Sequence, residues 1–238
     1  MEELYLADCY VKEFNARVTG ITKKDDGNQF VILDKTAFYP NAGGQPHDLG
    51  VMIKDEKEYP VVYVDEFDGI ISHEISGCGL TVGDKVACKI DWERRFHFMR
   101  YHTACHVLSA VIHKETGAKI TGNQIGVDKT RVDFSLDDFD RELIKSYETK
   151  VNTLIDSRIP VNISFLSRQR AMEIPSLVKL AAGLSDDIEN VRIIDIVDYD
   201  MQACGGTHVA NTNEIGHIEI IKTENKGKNN RRIYFRLR

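Results

Sequence analysis

The chain has 238 residues, of which 42% are hydrophobic and 29% are charged, and its formal net charge is −6 at pH 7. Such a composition is typical of a globular protein, and the length is enough for one large domain or two modest ones. The acidic balance argues against a general nucleic-acid binder, because non-specific binding depends on Lys and Arg side chains that neutralise phosphates. Any contact with nucleic acid must therefore use a local basic surface.

The sequence shows neither a membrane segment nor an export signal. No apolar run approaches the roughly 20 residues of a membrane span, and the first ten residues, MEELYLADCY, are acidic. The five cysteines are an odd number without disulfide-type spacing, which favours reduced thiols. We therefore expect a cytoplasmic protein without a membrane partner.

The first ninety residues are predicted to form a small β-barrel or sandwich. Short runs of strand-like composition alternate with turn signals, and strands at such close spacing are typical of these folds. The predicted strands are residues 14–22, 29–33, 51–54, 61–64, 70–75 and 85–90. We place a domain boundary near Ile90, which gives a barrel domain at residues 1–90 and a second domain at residues 91–238.

The stretch TAFYPNAGGQPHDLG, residues 36–50, interrupts this strand pattern. Gly43 and Gly44 allow positive φ values and close backbone approach, while Pro40 and Pro46 stiffen the ends. It is not a phosphate-binding loop, because it lacks the Gly-Lys-Ser/Thr ending and the Gly-x-Gly-x-x-Gly spacing. By composition alone it is either an ordinary connection or a binding loop.

A long helix is predicted from residue 92 to Gly117, because apolar residues recur there at three- and four-residue steps. The histidines His102 and His106 lie on the stripe beside the apolar face, at positions about 5–6 Å apart. Further elements are predicted as strands at residues 118–127, 130–134, 161–166, 191–197, 217–223 and 231–237, and as helices at residues 136–157 and 168–174. The predicted fold class is α+β: a small β-barrel, then a two-layer α/β domain with an antiparallel sheet and two long helices.

A metal site is predicted where this helix meets Cys204 and His208, about a hundred residues later. Thiolate and imidazole are the usual ligands of zinc, and one helix plus one distant turn is a common way to assemble them. The chemistry is not that of two common zinc enzymes. A zincin protease needs a glutamate where this chain has Thr103, and nucleobase deaminases need a Pro-Cys-x-x-Cys run that is absent.

Several motifs in this order resemble one family of tRNA-editing proteins. RYHTACH, TGNQ, RVDFS and CGGTH followed by NEIG are similar to the editing domain of alanyl-tRNA synthetase, and more closely to the free-standing AlaX editing proteins of medium size. The resemblance covers nearly the whole chain. It implies a trans-editing aminoacyl-tRNA deacylase that removes serine, and in some members glycine, from alanine-specific tRNA while sparing alanyl-tRNA. The implied partner is the acceptor end of mischarged tRNA, and no nucleotide cofactor is expected.

The resemblance also implies roles for individual residues. The Zn²⁺ ligands of the family fall on His102, His106, Cys204 and His208. The catalytic and amino-acid-pocket residues fall on His102, His106, Thr121 and Gln124. Because a buried polar group that hydrogen-bonds the substrate hydroxyl can reject an analogue without it by about 10⁴ to 10⁵, Thr121 is the candidate that distinguishes serine from alanine.

Substrate and tRNA contacts are expected at two further places. The glycine-rich motif of the family, which shapes the entrance to the editing site, falls on Asn41, Gly43, Gly44 and Gln45. Phosphate contacts are expected from arginines beside the long helix and in the basic C-terminal segment, namely Arg94, Arg95, Arg100, Arg231 and Arg232.

Three alternatives remain open from the sequence. The chain can be an editing domain of the threonyl type, although the NAGGQ loop and CGGTH favour the alanyl type. It can be a zinc-containing RNA-binding module without catalysis, or a metal-free fold with packed histidines. Four protein ligands also resemble a closed structural site more than an open catalytic one. The sequence therefore leaves open whether the metal activates the reaction or only positions the substrate.

Overall fold

The computed structural model describes residues 1–23, 27–137, 141–174, 177 and 189–238. It contains two compact units, Met1–His97 and Phe98–Arg238. The predicted α+β class is confirmed, since the described residues form a closed barrel, other antiparallel sheets and two long helices. The domain boundary near Ile90 stays a prediction. None of the helices described is long and apolar enough to cross a membrane.

The first unit is built from strands β1 (Glu2–Glu3), β2 (Glu13–Lys23), β3 (Gln29–Leu33), β4 (Lys35–Thr36), β5 (Gly50–Lys54), β6 (Lys57–Phe67), β7 (Ile70–Ile75) and β8 (Lys85–Ile90), with the short helix α1 (Leu4–Ala7). β2, β3, β7, β6, β5 and β8 pair in that order into a closed barrel. Every pairing around this barrel is antiparallel. The barrel predicted from the sequence is therefore confirmed.

The barrel core follows from the alternation of each strand. On β8, Val86, Cys88 and Ile90 are buried while their neighbours are exposed, as expected for a strand with one face toward the core. Closure also pairs β2 with β8, which lie far apart in the chain, and it leaves no unpaired edge in the barrel.

The second unit contains strands β9 (Ile120–Gln124), β10 (Thr130–Phe134), β11 (Val161–Ser167), β12 (Asn190–Ile196), β13 (Asp200–Ala203), β14 (Ile218–Asn225) and β15 (Arg231–Leu237), and helices α3 (Arg141–Asp156) and α4 (Arg168–Met172). The long helix α2 (Trp92–Thr116) begins in the first unit and continues into the second. One antiparallel sheet has the order β14-β15-β10-β9, and a smaller one has the order β11-β12-β13.

Helix α2 is buried more completely than its sequence predicts. Residues 101–112 are all buried, not only the apolar stripe. On one side the ring of Tyr101 lies 5.8 Å from the ring of Phe235 in β15. On another side His102 approaches Cys204, directly after β13. The histidines thus lie inside the unit and not at the edge of its core.

Some element boundaries differ from the predictions. Helix α3 begins at Arg141 and not at Leu136, which lies outside the helix, and residues 138–140 are outside the described part of the chain. Helix α4 ends at Met172, two residues before the predicted end. Strand β13 is missing from the predictions, because the run Asp200–Ala203 is too short and polar to stand out.

Candidate metal centre

Four side chains of the second unit meet in space. His102 and His106 project from α2, Cys204 directly follows β13, and His208 lies four residues further on. The Sγ atom of Cys204 lies 3.5 Å from Nε2 of His102 and 3.4 Å from Nε2 of His208. One ligand atom from each of the four residues lies within 4.8 Å of all the others. The arrangement can therefore hold a single metal ion.

The separations fit zinc in particular. With Zn–S near 2.3 Å and Zn–N near 2.0–2.1 Å, a tetrahedral site has sulfur and nitrogen about 3.5 Å apart. The two sulfur–nitrogen distances measured here, 3.5 and 3.4 Å, agree with that edge length. The donor set, three imidazoles and a thiol, also suits zinc better than the hard cations Mg²⁺ and Ca²⁺.

Burial keeps His102 and His208 in the neutral form that binds a metal. His102, His106 and His208 are at most 5% exposed, while Cys204 is partly exposed. Burial, together with the smaller effect of the nearby Arg192 charge, lowers the pKa of His102 to about 3. Burial also lowers the pKa of His208 well below its ordinary value, assisted by the neighbouring histidines. Neutral imidazoles are the state that a metal requires.

An arginine that the sequence analysis did not single out holds the CGGTH turn. Nη1 of Arg192, on β12, donates to the carbonyl oxygens of Cys204 and Gly206, at 2.7 Å each. The backbone N–H of Gly206 in turn donates to the Sγ atom of Cys204 over 3.4 Å. The turn that presents the thiol is therefore fixed by hydrogen bonds. The available sequence signal was an Arg among the β-branched residues of this strand.

The two candidates for the amino-acid pocket both lie on β9. Thr121 is exposed and donates its hydroxyl proton to Oδ1 of Asn230 over 3.2 Å. Gln124 is also exposed, and its Oε1 atom accepts from Nε of Arg131 over 3.2 Å. Their roles in the pocket stay predictions.

The glycine-rich motif forms a tight turn in the first unit. Ala42 and Gln45 exchange backbone hydrogen bonds around Gly43 and Gly44, whose φ values are +59° and +80°. Glycine adopts such values without the steric cost that a Cβ atom would add. Gln45 is buried while Asn41 is exposed. Substrate contacts by these residues stay predictions.

The expectation that Arg95 contacts tRNA needs correction. Its side chain is completely buried in the first unit and is paired with Asp48, which is also buried. Its guanidinium also donates to the carbonyl oxygens of Cys9 and Ala37. Since its donors are directed at protein groups, Arg95 cannot present its charge to a phosphate. Arg94 is partly buried and donates to the carbonyl oxygen of His47 over 3.0 Å.

The other arginines proposed for tRNA contacts have protein partners in the second unit. Arg100 donates to the carbonyl oxygen of Ile215 over 2.7 Å. Arg232 donates to both carboxylate oxygens of Asp133, at 2.6 and 2.8 Å. Arg231 donates to the hairpin turn at Asn225 and Gly227. Their tRNA contacts stay predictions.

Two protein-family models match the chain. One, described as the threonyl and alanyl tRNA synthetase second additional domain, matches residues 191–234, which include Cys204 and His208. The other, described as tRNA synthetases class II (A), matches residues 8–94.

Individual relatives match nearly the full length of this chain. An alanyl-tRNA editing protein AlaX-M of Methanosarcina barkeri is 53% identical, with 99% of this chain and 98% of the relative covered. The AlaX-M protein of Saccharolobus solfataricus is 43% identical, with 98% of each chain covered. An alanine–tRNA ligase of Saccharolobus islandicus is 36% identical over 94% of this chain but only 25% of its own length.

These matches confirm the family resemblance that the motifs predicted. The similarity to the ligase covers one segment of a much longer protein, whereas the similarity to the editing proteins is end to end. The chain belongs to the AlaX-M family of alanyl-tRNA editing proteins.

Proposed function

We propose that the chain is a trans-editing aminoacyl-tRNA deacylase that removes serine from alanine-specific tRNA at a zinc site and spares alanyl-tRNA. Membership of the editing family supports the enzyme class. The observation that carries the proposal is the meeting of His102, His106, Cys204 and His208 within 4.8 Å in a chain of this family. Zn²⁺ is the proposed metal, because the donor types and the sulfur–nitrogen distances fit it.

The chemistry requires little beyond orientation. An aminoacyl ester is already labile, so a site that holds the reacting groups in place contributes much of the rate. When bound, zinc supplies a Lewis acid that can polarise the ester carbonyl. The chain supplies neutral imidazoles, a fixed CGGTH turn and a largely buried environment. Because Cys204 is the partly exposed member of the cluster, we propose that the ester approaches from its side.

The proposed partner is the acceptor end of mischarged tRNA. Ester hydrolysis is downhill, so the proposal includes no nucleotide cofactor. We also propose a cytoplasmic location, since the described cysteines are all free and such thiols stay reduced in that compartment. Glycyl-tRNA is the second substrate to test, because glycine offers no hydroxyl for recognition.

Deacylation assays with and without a chelator test the proposal. We expect rapid release of serine from seryl-tRNA specific for alanine, slow release of alanine, and loss of activity on zinc removal that added zinc restores. Cys204→Ala should abolish both stoichiometric zinc and activity. Cys105→Ala is the matched control, because this buried thiol lies on α2 outside the four-residue cluster.

Other outcomes separate the alternatives. tRNA binding without release would indicate a non-catalytic RNA-binding module. Release of serine from threonine-specific tRNA in preference would indicate threonyl-type editing. A protein purified with no stoichiometric metal, and active in chelator, would refute the zinc site.

A further inference from the structure

Thr103 occupies the position between the two helix histidines, one residue after His102, and its side chain is completely buried. Its hydroxyl makes three hydrogen-bond contacts. Oγ1 lies 2.9 Å from the carbonyl oxygen of Met99, 3.1 Å from Nδ1 of His208 and 3.2 Å from the backbone nitrogen of Val209. A buried threonine thus connects α2 to the turn that carries the fourth ligand.

The directions of these bonds follow from the capacity of a hydroxyl. It has one proton to donate and two lone pairs that accept. The carbonyl of Met99 can only accept and the N–H of Val209 can only donate. The hydroxyl proton is therefore used on Met99, and one lone pair is used on Val209. The remaining lone pair faces His208, so Nδ1 of His208 must carry a proton.

This assignment decides which nitrogen of His208 is free. A neutral imidazole with a proton on Nδ1 has its lone pair on Nε2. Nε2 is the atom that lies 3.4 Å from Sγ of Cys204. Partners of this kind, which fix the tautomer and ring orientation of a ligating histidine, typically change metal affinity about 10–100-fold when they are removed.

We propose that Thr103 is a positioning residue, which holds His208 in the Nδ1–H tautomer and directs its Nε2 atom at the metal. It is not a nucleophile or a general base, because its proton and both of its lone pairs are already engaged. The position that is a catalytic glutamate in zincin proteases thus serves ligand orientation in this chain. The proposal rests on the proposed zinc site.

The chain offers a matched control for this role. Thr116, near the end of α2, also donates to the carbonyl four residues earlier, that of Ile112, over 2.7 Å. Its oxygen also accepts a backbone N–H, that of Ala118, over 3.1 Å. Like Thr103, Thr116 therefore donates to the carbonyl four residues earlier and accepts one backbone N–H, but it has no ligand histidine among the bonds described.

The experiment measures zinc affinity by competition with a chromophoric chelator in the full chain. Thr103→Val should bind zinc about 10–100-fold more weakly, while Thr103→Ser should restore affinity and Thr116→Val should leave it unchanged. Equal affinity of Thr103→Val and wild type would overturn the proposal. Absence of zinc binding in the wild type would instead refute the metal site on which it rests.

A measurement on the wild type keeps the proposal testable even if Thr103→Val does not fold. The ¹⁵N chemical shifts of His208 in the zinc-loaded protein report which ring nitrogen is protonated. We expect a proton on Nδ1, in slow exchange with solvent because of the bond to buried Thr103. A protonated Nε2, or an Nδ1 proton that exchanges as fast as that of an exposed histidine, would contradict the assignment.

Discussion

Gly206 leaves no room for a side chain beside His102. A methyl group at this position would overlap Cε1 and Nδ1 of the His102 ring, whereas a methyl group at Gly205 would meet no atom within 4 Å. Of the two adjacent glycines of CGGTH, only Gly206 lies where the surrounding atoms exclude a side chain. The second one is required because a ligand of the cluster packs directly on its backbone.

Alanine substitutions at the two glycines should test this difference. Gly206→Ala must displace the His102 ring or the turn, so we expect zinc affinity to fall by at least about tenfold, as for other changes that misplace a ligand. Gly205→Ala is the matched control and should keep the affinity of the wild type. Competition with a chelator measures both. Equal affinities in the two variants would show that the turn can move away from His102 at little cost.

Thr121→Val tests the basis of selectivity between serine and alanine. Valine has nearly the same volume as threonine but no hydroxyl, so we expect the ratio of seryl- to alanyl-tRNA deacylation rates to fall. The ratio is measured with both substrates on the same tRNA. Thr121 donates its proton to Asn230, which leaves the lone pairs of its oxygen to accept from the substrate hydroxyl.

Ser109→Ala is the comparison for this selectivity test. The hydroxyl of Ser109 is buried on α2, three residues after His106, and has no hydrogen-bond partner among the described residues. An unchanged ratio in Thr121→Val would show that the role predicted for Thr121 is wrong. A ratio that falls only in Ser109→Ala would indicate that this buried hydroxyl contributes to selectivity instead.

The sequence predicted local elements well because their patterns are local. The strands at residues 29–33, 70–75 and 85–90 have the predicted bounds, since turn residues flank each of them. The structure also brings together the four residues that the motifs predicted as metal ligands. Their residue types and helical spacing are readable without coordinates.

Contacts between distant residues were not readable from the sequence. Nothing local indicates that Arg95 pairs with Asp48, 47 positions away, so its burial was missed. The same holds for Arg192, which contacts carbonyl oxygens of the CGGTH turn 12 and 14 positions away, at the end of the neighbouring strand β13. Thr103 was recognised only as the absence of a catalytic glutamate, because its role depends on His208, 105 positions away.

The tip of the C-terminal hairpin should contribute more to tRNA binding than its base. Arg236 and Arg238, at the base, both contact Glu219, whereas Lys228 is exposed at the turn and Lys226 lies 3.9 Å from Glu224. Replacing Lys226 and Lys228 by Gln should weaken binding and reduce the slope of log affinity against log salt by about two. Replacing Arg236 and Arg238 by Gln removes equal charge and should change the slope less. Equal slopes in both variants would contradict a contact at the tip.

The buried pair of Arg95 and Asp48 should govern the stability of the first unit. Asp48 also accepts the backbone N–H of Tyr39 over 2.6 Å, so its charge is held by several donors. Arg95→Met leaves a buried carboxylate without its main partner, which should lower the unfolding free energy by about 3–5 kcal/mol. Adding Asp48→Asn removes that charge and should recover part of the loss. Urea unfolding of the wild type, the two single variants and the double variant measures the coupling between the two side chains. If the loss in the double variant equals the sum of the losses in the single variants, the two groups are not coupled.

His73 should make the first unit sensitive to acid. Its ring is completely buried, lies 2.8 Å from Oγ1 of Thr36 and donates from Nδ1 to the carbonyl oxygen of Val31 over 2.9 Å. Burial lowers its pKa from 6.5 to about 4. Between these values the unfolded chain binds a proton that the folded barrel does not, so the stabilising contribution is complete above pH 6.5 and is lost as the pH falls toward 4.

At about 1.4 kcal/mol for each pH unit of this window, the loss is about 3 kcal/mol. His73→Gln keeps one donor and one acceptor at the site but cannot titrate. We therefore expect the difference in unfolding free energy between wild type and His73→Gln to shift in favour of the variant as the pH falls from 7 to 4. Urea unfolding at several pH values measures it, and other titrating groups cancel in the difference. A difference that does not change with pH would show that His73 is protonated in the folded barrel as readily as in the unfolded chain.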